Sequence, residues 1–360
     1  MSKILSIGTA VPQYRHRQQD ILDFMQRVYA LDEVNRRKLK FLYRQSGIET
    51  RYSVIPDYSL PAADWKFYIP SENLEPFPTL EQRMSWYRSN AAILSMNAIQ
   101  NCLNKLSKQS ISHLITVSCT GMSAPGLDIE LLDLLQLPLT TQRTSINFMG
   151  CYAAIHALKL ADAICKADTN ANVLIVCTEL CTLHFQKKHT IDNITSSLLF
   201  SDGSAAILVS GNNALPGLKM DSFYSVVAPK GKADMAWELS STGFQMTLTN
   251  YVTDLIEEDF GGLVNDSLEA GKMQKEDITH WCIHPGGKKI LESVHNSLGF
   301  SNGQLKPCFD ILNDYGNMSS PTVLFVLEKI MEALPENKPA NIFGAAFGPG
   351  LTMETFILSA

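Results

Sequence analysis

The sequence predicts an α/β layered protein built from two duplicated halves. Three observations lead there: two segments repeat one order of strands and helices, the strand-like runs are apolar without clean alternation, and a turn signal closes each copy. A chain of 360 residues is long for one small core, so two large halves are the natural division. With 45% apolar and 18% charged residues, the composition is that of a globular protein rather than a disordered one.

In the first segment, the strand-like run His113–Ser118 leads into Cys119. Cys151 then opens a helical pattern through Ala153, Ile155, Leu158 and Ala161, and the strand Val173–Thr178 follows. In the second, His280–Ile283 leads into His284. Asn317 opens a helical pattern through Val323, Leu324, Val326 and Ile330, followed by the strand at Asn341–Phe343. The spacing is 32 positions from Cys119 to Cys151 and 33 from His284 to Asn317. Ser201-Asp202-Gly203 and Gly348-Pro349-Gly350 each read as a turn before an apolar strand, because Asp-Gly and Pro-Gly supply the backbone angles of a reversal. Apolar runs joined by helices suggest strands covered on both faces. The polar break at Gly211-Asn-Asn divides the chain into halves 1–211 and 212–360.

The net charge of −6 disfavours a nucleic-acid partner, which would require excess Lys and Arg. The apolar stretch after Lys3 is too short for a signal peptide, and no apolar run reaches membrane-spanning length. The eight cysteines form no pair of CxxC motifs, so no metal site is expected. These features together predict a cytoplasmic protein with most of its thiols free and buried.

The repeat pairs Cys151 with Asn317 and Cys119 with His284, at helix starts and strand ends, which converge on one cleft in folds of this kind. A thiol at a helix start feels the positive end of the helix dipole, which lowers its pKa. His284 ends a strand abruptly in His-Pro-Gly-Gly, and Asn317 could also serve simply as a helix N-cap. As one machine, a thiolate paired with an imidazole attacks an acyl thioester. The histidine and asparagine N–H groups then stabilise an enolate, such as the one left by decarboxylation of a malonyl thioester.

The stretches Met149-Gly-Cys-Tyr-Ala, Phe200-Ser-Asp-Gly-Ser-Ala-Ala, His284-Pro-Gly-Gly, Tyr315-Gly-Asn-Met-Ser-Ser and Phe347-Gly-Pro-Gly-Leu-Thr-Met-Glu-Thr run the length of the chain. On these motifs the sequence resembles the type III polyketide synthases, the chalcone-synthase-like family. The resemblance implies a thiolase-like αβαβα fold and a homodimer. It also implies CoA-linked acyl starters and malonyl-CoA extenders as substrates, with no further cofactor. Cys151 would carry the acyl group while His284 and Asn317 promote decarboxylation and condensation. Phe200 matches a gatekeeper; Pro349 and Gly350 match a loop that shapes the cavity; Cys119 and Ser319 match cavity-lining positions. Arg37, Lys40 and Arg44, spaced three and four apart on one face of a predicted helix, match residues at the CoA phosphates.

The departures from the plant pattern concern the cavity. Met246 stands for a second gatekeeper phenylalanine, Trp237 for a glycine, and Ala124 for a methionine that reaches across the dimer interface. The Met246, Cys119 and Trp237 set is similar to microbial members, which make naphthols, pyrones or resorcinols. Three alternatives share the fold. An initiating ketoacyl-ACP synthase would condense once, but its histidine motif reads His-Gln-Ala-Asn. A non-catalytic partner subunit would usually have lost its nucleophile, and a hydroxymethylglutaryl-CoA synthase would require a glutamate base.

Overall fold

The computed structural model describes residues 2–71, 73–103, 108–249, 251–301, 303–335 and 338–360. The first half runs β1 (Lys3–Ala10), β2 (Tyr14–Arg17), α1 (Gln18–Val28), α2 (Glu33–Gln45), β3 (Thr50–Ser53), α3 (Leu80–Cys102) and β4 (His113–Ser118). It continues through α4 (Leu127–Leu135), β5 (Gln142–Asn147), α5 (Ala153–Ala167), β6 (Asn172–Leu180), α6 (Ile191–Leu199) and β7 (Asp202–Ser210). Residues 211–217 connect to β8 (Leu218–Val227), then β9 (Met235–Ser240), β10 (Gly243–Leu248), α7 (Tyr251–Gly271) and β11 (His280–Ile283). The chain closes with α8 (Lys288–Ser297), α9 (Lys306–Tyr315), α10 (Thr322–Ala333), β12 (Asn341–Gly348) and β13 (Thr352–Ser359).

Nine strands form one mixed sheet in the order β11-β12-β13-β8-β1-β7-β6-β4-β5. The repeat seen in the sequence is visible in the pairing. β4 runs parallel to β6 as β11 does to β12, and β6 pairs antiparallel with β7 as β12 does with β13. β1 then closes on β7 as β8 closes on β13, again antiparallel. The two portions of the sheet join through β1 and β8, at Lys3 with Lys219 and Ile4 with Leu218.

Helices α5 and α10 lie between the two portions: α5 packs on β4, β6, β7 and β13, and α10 on β1, β7 and β11. Their sequences suit a central layer. Ala153, Ala154, Ala157 and Ala161 are all fully buried and let sheets approach α5 closely, while Val323–Leu327 make α10 apolar all round, as a helix buried on every side must be. α3 covers β1, β6 and β7 on the outside, and α7 covers β8 and β13. The result is the thiolase-like αβαβα layering, with β6, β7 and β12 buried on both faces.

Three local expectations are corrected. Asp202 and Gly203 do not turn the chain; they begin β7. Asp202 is buried because its carboxylate accepts Val54 N, Thr182 N and Thr182 Oγ1 at 2.7–2.8 Å, and a Cβ on Gly203 would meet Met318 Sδ at 2.4 Å. Cys151 precedes α5 by two residues, and Asn317 precedes α10 by five, so neither starts nor caps a helix. The Gly348-Pro349-Gly350 turn does lie between β12 and β13, as a single 3-10 turn. Among the described residues no helix is long and apolar enough to cross a membrane, and no cluster of His, Cys, Asp and Glu could hold a metal ion.

Candidate active site

Cys151 sits on the loop from β5 to α5. Gly150 takes φ +79°, a left-handed conformation open to glycine, and a Cβ there would lie 2.2 Å from Pro349 Cδ. The loop is thereby seated against the Pro349-Gly350 turn of the other half. Gly150 N–H donates to Cys119 Sγ at 3.1 Å, which holds Cys119 against the nucleophile loop. Cys151 Sγ–H donates to Ser319 Oγ at 3.6 Å.

Asn317 joins the parts. Its N–H donates to Leu199 O and its carbonyl accepts Ser201 N–H, both at 2.9 Å, forming a parallel bridge with Phe200. Its side-chain Oδ1 accepts Ser319 N–H at 2.8 Å, and Nδ2–H donates to Gly286 O at 3.2 Å. One asparagine thus reaches the nucleophile through Ser319, the histidine loop through Gly286 and the gate through Phe200. Ser319 holds φ +61°, an uncommon angle for a residue with a Cβ, and such angles concentrate at functional sites.

His284 follows β11, and its N–H extends the ladder to Ala345 O at 2.8 Å before Pro285 ends it. The ring is 1% exposed, and neither Nδ1 nor Nε2 has a hydrogen-bond partner. Burial alone lowers its pKa to about 3, so the imidazole is neutral. Burial also pushes the Cys151 thiol up to about 12, against the opposing pull of Ser319 and Asn317. Both directions run against the lowered thiol pKa expected at a helix start. The cause is that desolvation outweighs a helix dipole beginning two residues away.

Beneath the thiols lies a residue the sequence reading passed over. Glu179, in β6, accepts Cys119 N–H at 2.9 Å, Thr120 Oγ1–H at 2.7 Å and Ser320 Oγ–H at 3.1 Å. Burial raises its carboxyl to about 7. A lone glutamate in the apolar run Val173–Leu180 is the signal that marks it, since such residues are buried only when paired.

Two openings flank this centre. A cleft of about 160 Å³ is lined by Gly286 and Gly287 of the histidine loop together with Leu42, Gln45, Leu199, Val252, Lys288 and Lys289 among others. Arg37, Lys40 and Arg44 share the exposed face of α2 as the spacing predicts, but they stand outside that lining, and Arg37 pairs with Glu33. Lys288 and Lys289, at the start of α8, are the cations that line it.

On the other side, a narrow cavity of about 40 Å³ is lined by Phe200, Trp237 and Met246. Trp237 Nε1–H donates to Cys119 O at 2.8 Å, and its ring packs edge-on to His184 and Phe244. The predicted cavity residues thus divide in two. Phe200, Trp237 and Met246 line the free space, whereas Cys119, Ser319, Pro349 and Gly350 support the nucleophile loop.

The family models described as chalcone and stilbene synthases match the chain in both parts, the N-terminal domain over residues 1–213 and the C-terminal domain over residues 220–360. A probable polyketide synthase 1 of Dictyostelium discoideum is 31% identical over 98% of this chain, although the chain spans only 11% of that protein's length. A putative chalcone synthase of Bacillus subtilis is 28% identical over 100% of this chain and 99% of its own. Among solved structures, the C-terminal type III polyketide synthase domain of Steely1, a type I/III hybrid from Dictyostelium, superposes with a TM-score of 0.91 at 29% identity. It covers 99% of this chain and 98% of that domain.

Proposed function

The chain belongs to the chalcone and stilbene synthase family and is a condensing acyltransferase of the type III polyketide synthase kind; on that premise we propose that it extends a CoA-linked acyl starter iteratively with malonyl-CoA and then cyclises the chain to an aromatic or pyrone product. The observation that carries this reading is Asn317, which links Cys151 through Ser319 and the His284 loop through Gly286, a residue that also lines the cleft.

The cleft suits a pantetheine arm, with Lys288 and Lys289 at its lining and Arg37, Lys40 and Arg44 on the adjoining helix for the phosphates. The first step is thioester exchange. Cys151 Sγ bonds to the acyl carbon as its proton passes to the neutral His284 ring, the carbon–sulfur bond to CoA breaks, and that proton leaves with the CoA thiol. Malonyl-CoA then enters the same cleft and loses CO2. The resulting enolate oxygen is held by an N–H of His284 and by Asn317 Nδ2–H, an oxyanion-hole arrangement. The enolate carbon bonds to the acyl carbon, the carbon–sulfur bond to Cys151 breaks with the sulfur leaving as a thiolate, and that thiolate takes a proton from water to restore the thiol, so that the released β-ketoacyl-CoA, two carbons longer, can reload the cysteine. The unprotonated ring carries one lone pair and one N–H, the two functions these steps call on, while its lowered pKa weakens it as a base.

A homodimer is part of the proposal. The edge strand β5 ends the sheet with most of its side chains exposed, and Met122, Leu134 and Leu139 stand exposed on neighbouring segments. A cytoplasmic setting accords with the free thiols.

The test is a product assay with malonyl-CoA and acyl-CoAs of graded length, read by mass spectrometry. Cys151→Ala is expected to abolish chain extension while retaining some release of CO2 from malonyl-CoA. Continued elongation by that variant would remove Cys151 as the acyl carrier, and absence of CoA release by the wild type with every starter would support a partner-subunit role instead.

A further inference from the structure

Helix α2 turns Leu39 and Tyr43 into the core, yet its outer face is not wholly polar. Val34 and Phe41 stand there 62% and 63% exposed, and Phe41 is the one exposed aromatic side chain among the described residues. The two belong to a ridge of Val34, Lys38, Phe41 and Gln45, spaced four, three and four along the helix. Seven residues of helix separate the apolar pair by about 10 Å along the axis. Arg37 and Arg44 run beside this ridge and are exposed with it. The helix carries five cations against one acid, in a chain whose net charge is −6. That acid, Glu33, pairs with Arg37 at the surface, so the excess of positive charge stays uncompensated within the helix.

The ridge leads to the cleft that takes the thioester. Gln45 lines that cleft, with Leu42 and Ser46 of the same turn. The phosphates of CoA account for cations near such an opening, but not for two large apolar side chains held in water among them. A protein partner accounts for both. Apolar anchors seven positions apart on one helix match a second helix laid alongside, and cations flanking the anchors select an acidic one. A lipid surface suits the face less well, because Lys38 stands between the two apolar side chains, whereas a helix lying in a lipid interface presents a broad apolar face.

We propose that the outer face of α2 docks an acidic, helical carrier domain, which presents an acyl group on a phosphopantetheine arm entering the cleft beside Gln45. Acyl groups then reach Cys151 from a carrier protein as well as from CoA. The inference rests on the condensing-enzyme reading above and leaves its chemistry unchanged: the acyl carbon bonds to Cys151 Sγ, its bond to the arm's sulfur breaks, and the cysteine proton leaves with the arm's thiol. Val34 and Phe41 act in recognition of the carrier and touch no reacting atom.

The experiment compares two donors at equal concentration and low salt: hexanoyl-CoA, and a bacterial acyl carrier protein bearing hexanoyl on its phosphopantetheine arm. Initial rates of Cys151 acylation are read by intact-protein mass spectrometry. In the double variant Val34→Ser, Phe41→Ser, loading from the carrier is expected to fall by roughly tenfold or more, the usual cost of truncating interface anchors, while loading from hexanoyl-CoA is unchanged. Should that variant fail to fold, the wild type still decides the matter: excess carrier protein lacking the arm is expected to slow loading from the acyl-carrier and not from hexanoyl-CoA. Failure of the carrier to load Cys151, or equal effects of the variant on both donors, overturns the proposal. So does binding of the wild type to anionic vesicles that the double variant loses, which would assign the face to a membrane, or a change of oligomeric state in the variant, which would assign it to a second copy of the chain. Absence of a Cys151 adduct with any acyl-CoA would instead overturn the condensing reading, so the two failures are distinct.

Discussion

Asn317 Oδ1 accepts the backbone N–H of Ser319 at 2.8 Å, and Nδ2 of the same amide faces Gly286 O at 3.2 Å. The amide is therefore oriented from both ends, and its donor side cannot exchange with its acceptor side without losing both bonds. Asn317→Asp keeps the contact to Ser319 but sets a second acceptor against the Gly286 carbonyl. Malonyl-CoA decarboxylation is expected to fall by roughly 10²–10³-fold, the usual cost of one oxyanion donor. The measurement is CO2 release, with Cys151 acylation followed in parallel; acylation lost to the same degree would assign Asn317 to the cysteine rather than to the enolate.

Met246 lines the cavity and is half-buried, at the register position opposite Trp237. Methionine adapts to varied shapes, whereas phenylalanine has a rigid outline. Met246→Phe is expected to shift products toward fewer extensions or shorter starters. Identical product profiles across a starter series would remove Met246 from the functional wall.

The neutral His284 has a stability consequence with a definite sign. Its pKa is about 3 in the fold and 6.5 ordinarily, so between those values the unfolded chain binds a proton that the fold refuses. Stability from this group is complete above pH 6.5 and is lost as pH falls toward 3. Glu179, raised from 4.5 to about 7, acts in the opposite sense, favouring the fold at low pH and losing that contribution as pH rises through 7. His284→Gln should therefore flatten the fall of unfolding free energy by about 1.4 kcal/mol per pH unit between pH 6 and 4. Urea titrations at stepped pH would show it, and parallel curves for the two proteins would refute a neutral buried ring.

Gly150→Ala is expected to destabilise the protein by about 2–4 kcal/mol, combining overpacking against Pro349 with a left-handed backbone angle. Activity should fall with it, because the same loop carries Cys151. Urea unfolding and an acylation assay report the two effects separately.

Much of this arrangement is legible in the sequence, for a physical reason. Strands covered on both faces write themselves as unbroken apolar runs, and a duplicated plan writes that signal twice, so His113–Ser118 and His280–Ile283 could be matched before any geometry was known. The ends of those runs point to Cys119 and His284, and the helical patterns that follow point to Cys151 and Asn317. Features set by distant partners were not legible. Asp202-Gly203 carries a local turn signal, but Val54 and Thr182 claim the carboxylate and Met318 excludes any side chain on the glycine. The helix-dipole argument for Cys151 fails because burial by the second half is invisible in the first. Glu179 likewise acquires meaning only from residues more than 50 positions away.

The seam at Ile4 and Leu218 makes the two halves one continuous sheet, and both side chains are buried there. A molecule joined in this way has no crease along which to fold. It is built as a fixed frame rather than a jaw: the walls around Phe200, Trp237 and Met246 stand in place whichever half they come from, so changing the space they enclose calls for reshaping a wall rather than retuning a motion.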